Sequence, residues 1–348
     1  MKNISHTWSK RSVTKSLSRI QFAFIFGMVL SLLLPTLLTA QTSDIRVHDP
    51  VVIREGDTYH LFCTGRGIAH FTSKDLDNWE KADPVFPEKP AWTDEVVPDF
   101  RNHIWAPDIF FKDGTYYLYY SISAFGKNTS AIGVATNTTL DSSDKNYKWV
   151  DHGIVIQSVP NRDLWNAIDP NIVFDDKGDA WMTFGSFWNG LKLFKLDDSF
   201  TKVAQPQEWH TLARRERSFD IADKDAGDAA LEAPFIFKRE GWYYLFLSWD
   251  LCCRGENSTY KVVVGKSRDV EGPYFDKDGK NLFHGGGSLV IQGNENWYGA
   301  GHCSVYTFDN EDYLFFHAYD ASDEGRSKLK IRKINWTSDG WPWVERLK

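Results

Sequence analysis

Three carboxylates, Asp49, Asp169 and Glu232, stand in segments that begin alike: His48-Asp49-Pro50, Ile168-Asp169-Pro170 and Glu232-Ala233-Pro234. Two further segments, Trp105-Ala106-Pro107 and His302-Cys303-Ser304, open on the same pattern without one. Aligned on the proline position, Asp49, Ala106, Asp169, Ala233 and Cys303 share one column, spaced 57, 63, 64 and 70 residues apart. His48, Trp105, Ile168, Glu232 and His302 share the column before it. A repeat of that length gathers distant residues around one axis, so the three carboxylates are expected to converge. Such a trio is the minimum set for hydrolysing a glycosidic bond. One carboxyl protonates the leaving oxygen, and a second, ionised, activates water or attacks the sugar. The third holds the acid's pKa up by like-charge repulsion. Each residue alone has an ordinary alternative, since Asp-Pro is a common turn starter. Glu232 is more telling: set between Leu231 and Ala233-Pro234-Phe235, it is a desolvated acid or an unexplained penalty. Proline after Asp49 and Asp169 is expected to keep both in extended backbone.

The elements that position these residues repeat as well. After each opening comes a β-branched and aromatic run, a turn of Asp, Gly, Lys, Glu or Asn, and a second aromatic run. The five bodies span residues 50–65, 107–121, 170–186, 234–248 and 304–318. Asp-Gly and Glu-Gly turns supply the positive φ of tight hairpins. A third strand-like stretch follows, at 130–140, 190–197, 259–269 and 329–337. Asn78-Trp79-Glu80, Tyr147 to Val150 and Trp341-Pro342-Trp343-Val344 read as outer fourth strands. Four strands per repeat, five repeats and no sustained helical period predict an all-β, five-bladed β-propeller over residues 41–348. Its openings would line one funnel. The residues ahead of the first opening look too few to clasp the ring.

Composition narrows the classes further. Residues 1–40 read as a signal peptide: five Lys and Arg, no acid, an apolar run from Ile20 to Leu34, and Leu38-Thr39-Ala40 before Gln41. An uncleaved anchor is the alternative; later in the chain no run reaches the roughly 20 apolar residues a membrane helix needs. The mature chain is therefore expected to be secreted or periplasmic and free of the membrane. It would carry 35 Lys plus Arg against 47 Asp plus Glu, a net −12, which excludes nucleic acid as a natural partner. A monomer is expected. Cys63, Cys252, Cys253 and Cys303 lack zinc-site spacing. Cys252-Cys253 allows a vicinal disulfide, although two thiols pointing opposite ways is the commoner outcome.

Residues 44–348 resemble glycoside hydrolase family 43, and within it the endo-1,5-α-L-arabinanases. The motifs are VHDPVV at Asp49, HIWAPDI at Trp105, NAIDPNI at Asp169, GSFWNGLKL at Ser186, LEAPFIF at Glu232, WDLCCRGENSTYKVVVGKS at Cys252 and GAGHCSV at His302. The resemblance implies inverting hydrolysis of α-1,5-arabinofuranosyl chains in arabinan. It implies Asp49 as general base, Glu232 as general acid, and Asp169 as the carboxylate that orients the acid and tunes its pKa. His48, Trp105, Phe125, Gly126, Asn166, Ala167, Ile168, Asp169, Ser186, Phe187 and Trp188 match segments that touch substrate. The ordinary alternative for the aromatics is packing, because 15 Trp and 24 Phe must largely fill blade interfaces. His302 matches a channel histidine beside a hydrated Ca2+, and no organic cofactor is implied. Other readings are an exo-acting α-L-arabinofuranosidase or β-xylosidase, with residues 214–230 closing one end of the cleft, and a non-catalytic carbohydrate-binding propeller. The latter predicts loss of a carboxylate. A fructan-cleaving relative would open on Asn-Asp-Pro-Asn, whereas this chain has His-Asp-Pro-Val.

Overall fold

The computed structural model describes residues 42–348; the expected signal peptide lies outside the described residues. Five antiparallel sheets follow the predicted order, inner strand to outer, and form a five-bladed β-propeller. Blade 1 comprises Val51–Glu55, Thr58–Cys63, Ala69–Ser73 and Trp79–Ala82. Blade 2 comprises His103–Lys112, Thr115–Ile122, Ser130–Asn137 and Val150–Ser158. Blade 3 runs through Asn171–Phe174, Ala180–Phe184, Leu191–Lys195 and Trp209–Ala213, and blade 4 through Leu231–Arg239, Trp242–Trp249, Lys261–Ser267 and Ser288–Gln292. Blade 5 contains Trp297–Phe308, Glu311–Asp320 and Arg326–Lys333. Among the described residues the one α-helical segment is the single turn Thr93–Val96.

Turn chemistry sets the hairpins. Asp113-Gly114, Glu240-Gly241 and Asp309-Asn310 have positive φ at both residues, the backbone that a two-residue hairpin loop needs to match strand twist. The strands beyond them are apolar on both faces because each sheet is sandwiched between two others; Ala180–Phe184 is buried throughout. Five apolar clusters fill the five blade interfaces. Phe62 and Leu118 belong to the cluster between blades 1 and 2. Val134 and Met182, Leu193 and Leu245, Phe246 and Phe316, and Leu61 and Phe315 belong to the others in turn.

Two expectations fail at the ring closure, for one reason. Thr42–Arg46 is the outer strand of blade 5, pairing antiparallel with Arg326–Lys333. Five residues thus clasp the first blade to the last, because a ladder needs backbone groups and little length. With that edge taken, Pro342–Trp343 pairs with Asn335–Trp336 in a separate two-stranded ribbon. The ribbon packs on neighbouring blades through a bond from Tyr244 Oη to the Gly340 carbonyl, 2.7 Å.

Candidate active site

Each inner strand has a residue in left-handed backbone, just ahead of the strand or within its first half: Asp49 (φ 56°), Ala106 (38°), Asp169 (59°), Ala233 (57°) and His302 (46°). The expected extended geometry of the two aspartates is therefore corrected. Proline disfavours right-handed helical backbone before it but leaves the left-handed region open, which Asp tolerates better than most residues. Blades 2, 4 and 5 show the cause directly, as their registers shift between Trp105 and Asp108, Glu232 and Phe235, and Gly301 and Ser304. A bulge at the head of the strand turns these side chains into the funnel.

The fifth opening is also one residue out of the sequence alignment. Trp105 pairs with Ser121, Glu232 with Ser248 and Gly301 with His317, while Thr64 bonds His48 and Gly185 bonds Ile168 through the backbone. His302, rather than Cys303, therefore shares the column of Asp49 and Asp169. Without a proline in blade 5 the sequence offered no anchor for that register.

Left-handed alanine or histidine costs about 1–3 kcal/mol and needs support. The support is a bond from the backbone N–H to a side chain of the preceding blade. Asp49 donates to His317 Nδ1 (3.2 Å), Ala106 to Thr64 Oγ1 (2.8 Å), Asp169 to Ser121 Oγ (3.0 Å) and His302 to Ser248 Oγ (2.8 Å). Blade 3 has Gly185 at the corresponding place and offers no side chain. Ala233 instead donates to Asp169 Oδ2 at 3.1 Å. Asp169 is thereby tied to the peptide that follows Glu232.

The three carboxylates are buried and differ in charge. Asp49 Oδ1 lies 2.7 Å from His48 Nδ1 and 2.9 Å from His302 Nδ1, and Thr64 donates to Oδ2. Burial alone would raise the Asp49 carboxyl, but His302 and His48 outweigh it and hold it well below the usual carboxylate range. Glu232 accepts from Ser186 Oγ at 2.6 Å and from Tyr260 Oη. Burial raises its pKa, with the Ser186 bond and His302 opposing and Asp49 adding to the rise. Asp169 is pushed up to about 8 by burial, which His302 opposes and the charges of Glu232 and Asp49 reinforce. Asp169 and Glu232 are thus both held toward the protonated state. His302 is raised to about 9: burial lowers it, and Asp49 and Asp169 more than reverse that.

The other expected residues sit around this centre in unequal ways. Trp105 is half-buried with its indole N–H on His103 Nδ1, 3.0 Å. Phe125 is 75 % exposed, beside Gly126 in a turn. Asn166, Ala167 and Ile168 are buried, and Asn166 Oδ1 has no protein donor. Phe187 bonds the Leu231 carbonyl through its N–H (2.8 Å), which holds its segment against the acid. Trp188 is packed at 2 % exposure and gives its indole N–H to the Asp223 carbonyl at 2.8 Å. It therefore anchors the 214–230 loop. A cavity of about 600 Å³ lies beside that loop, lined by Trp188, Asn189, Arg214 and Arg217 among others, and not by the carboxylates. Thr64, Tyr260, His317 and Tyr319 contact the site and were not singled out from sequence; histidines and tyrosines on second strands look like packing residues there.

The expected Ca2+ finds few donors. His302 Nδ1 is taken by Asp49, and among the described residues nothing bonds its Nε2. Calcium prefers six to eight oxygens. These residues fit a largely hydrated ion touching the protein through one imidazole nitrogen, and not an oxygen cage. His48 also clusters with Asp49 and His317, and with Cys252 and Cys253. His48 Nε2 is already on Tyr319 Oη (2.8 Å), and the two sulfurs are joined as a disulfide, correcting the expectation of divergent thiols.

Comparison with known proteins agrees with this geometry. Residues 42–342 match glycosyl hydrolases family 43. The chain is 56 % identical to the extracellular exo-α-(1→5)-L-arabinofuranosidase of Cellvibrio japonicus, over 88 % of this chain and 89 % of that one. It is 42 % identical to an extracellular endo-α-(1→5)-L-arabinanase of Bacillus subtilis, over 85 % and 87 %. A Cellvibrio cellulosa α-L-arabinanase solved with arabinohexaose superposes with a TM-score of 0.85 at 54 % identity, covering 87 % of this chain and 99 % of that one. The protein belongs to glycosyl hydrolase family 43 and is a glycoside hydrolase.

Proposed function

We propose that the protein hydrolyses α-1,5-linked L-arabinofuranosyl chains with inversion at the anomeric carbon. The observation that carries this reading is the split among carboxylates at one funnel: Asp49 held ionised, Glu232 and Asp169 pushed toward protonation. Asp49 takes the proton of the attacking water. Glu232, fixed by Ser186 and Tyr260, protonates the departing oxygen as the bond breaks. Asp169, raised by burial and by the charges of Glu232 and Asp49, keeps a proton in the site that the acid can draw on. Asn166 Oδ1, buried without a protein donor, suits a sugar hydroxyl.

Attack from the chain end is the favoured mode. Two relatives that share more identity than the endo-named ones are named exo, the Cellvibrio japonicus enzyme and a bovine ruminal exo-1,5-α-L-arabinanase at 46 %. In this reading the 214–230 loop, which is tied to Trp188 and stapled by Arg217 to the carbonyls of Ile221, Ala222 and Asp225, walls one end of the cleft. Internal cleavage, expected from sequence, is the second reading and is supported by the Bacillus subtilis relative. A time course on linear α-1,5-arabinan separates them: products of one length from the start support the end-acting mode, and a ladder of oligosaccharides supports the internal one. Proton NMR of the first product tests inversion; retention would sink the base assignment.

Two accompanying proposals follow. The chain is exported, as its N-terminal pattern and relatives named extracellular support. A hydrated Ca2+ would rest against His302 Nε2 in place of the proton that the imidazole otherwise holds, and would supply the channel's positive charge in its stead.

A further inference from the structure

The disulfide between Cys252 and Cys253 lies in the loop joining the second and third strands of blade 4, against the histidine that holds the proposed base. Cys253 Sγ is 3.8 Å from His48 Nε2. Cys253 has left-handed backbone (φ 65°), and its N–H donates to Tyr319 Oη at 2.7 Å. The Asp49 carboxylate can only accept, so the His48 proton sits on Nδ1, 2.7 Å from Asp49 Oδ1. His48 Nε2 is then the acceptor of the Tyr319 hydroxyl proton, at 2.8 Å. His48 is also sandwiched, stacked on His317 with ring centroids 3.8 Å apart.

We propose that the Cys252–Cys253 disulfide and Tyr319 are positioning groups for the base, fixing through His48 the orientation of the Asp49 carboxylate. This rests on the reading of Asp49 as general base. The disulfide constrains two successive residues, and so pins the one peptide N–H that orders the Tyr319 hydroxyl. A merely structural brace would protect folding and leave turnover unchanged. A positioning group sets kcat, because small displacements of a reacting group are expensive in rate. Cys253 is exposed, so a small dithiol can reach the bond. The dithiol is oxidised to its cyclic disulfide as the two cysteines take up two electrons and two protons.

The test is kinetics on linear α-1,5-arabino-oligosaccharides before and after dithiothreitol, with thiols counted by mass spectrometry. Reduction is expected to lower kcat about tenfold with KM unchanged, and re-oxidation to restore it. C252S/C253S should match the reduced enzyme and ignore the reductant. Y319F should lose a similar factor, and the combination should lose no more than either change alone, since all act along one chain of bonds. Full kcat in enzyme shown to be reduced overturns the proposal, as do losses that multiply, or four free thiols in the untreated enzyme. If C252S/C253S does not fold, reduced wild type and Y319F decide the matter. Asp49→Asn run alongside separates the two ideas: an active Asp49→Asn sinks the base reading, whereas an inactive one with a redox-indifferent wild type sinks only the positioning role.

Discussion

Asp49 and Asp169 are the same residue in the same place in two blades. Each precedes a proline, each has φ near 60°, and each is 6 % exposed. Their charge states nonetheless diverge, Asp49 held well below the ordinary carboxylate value and Asp169 raised to about 8. Burial raises both. Asp49 receives two imidazoles on one oxygen and the Thr64 hydroxyl on the other. Asp169 receives one backbone N–H, from Ala233, and faces the charges of Glu232 and Asp49. Different partners, among them His302 from blade 5, hold one ionised and leave the other prone to protonation.

The largest effect on this contrast comes from removing the ionised member. Asp49→Asn should lower kcat by about 10³-fold, measured on arabino-oligosaccharides, with the fold retained by circular dichroism. Glu232→Gln follows, at about 10²-fold on the natural substrate. That loss should shrink on an aryl arabinoside whose leaving group needs no proton; an equal loss on both would remove Glu232 from the acid's role.

Asp169→Asn sharpens the comparison through the pH profile. In the wild type, activity needs Asp49 ionised and a proton on the Asp169–Glu232 pair. The acid limb of kcat/KM should therefore lie below the usual carboxylate range and the alkaline limb near 8. Without Asp169 the alkaline limb should move down, while the acid limb stays. His48→Gln should do the converse, raising the acid limb by removing one of two imidazoles from Asp49; an unmoved limb would leave His302 as the sole source of the depression.

The smallest expected effect is on stability. Asp169 has a folded pKa of about 8 against an ordinary 3.8, and His302 about 9 against 6.5. In both cases the folded state binds the proton more tightly than the unfolded one. Stability is then fullest below the unfolded values and declines as pH rises through the folded ones. Asp49 has the opposite sign, since its stabilisation is lost as pH falls through its depressed folded value. The Tm should drop between about pH 4 and 9 as these two windows are crossed, and Asp169→Asn should flatten the part of that drop below about pH 8.

Much of this architecture was legible in the chain. Aromatic runs separated by Asp-Gly and Glu-Gly announced the hairpins, since few residues adopt the required backbone. Their recurrence announced five blades. Blade 5 was misregistered because Ser304 stands where the other openings have proline, so His302 was placed one column early. The clasp is not legible in the chain because Thr42–Arg46 has no partner nearby in sequence; its ladder lies against residues nearly 290 positions away. Phe125 and Trp188 both looked like cleft aromatics, yet one is exposed and the other packed around a hydrogen bond to Asp223.

The sequence by itself determined the strands, their turns, their fivefold repetition and the three carboxylates at the head of the blades. These depend on neighbours a few residues apart, on turn chemistry and on spacing along the chain. Only the tertiary structure decided which carboxylate is ionised. It also decided that Gly185 leaves Asp169 to cap Ala233, and that a disulfide in blade 4 abuts a histidine from blade 1. Such outcomes depend on burial and on charges brought together from different blades, and no local pattern in the chain encodes those distances.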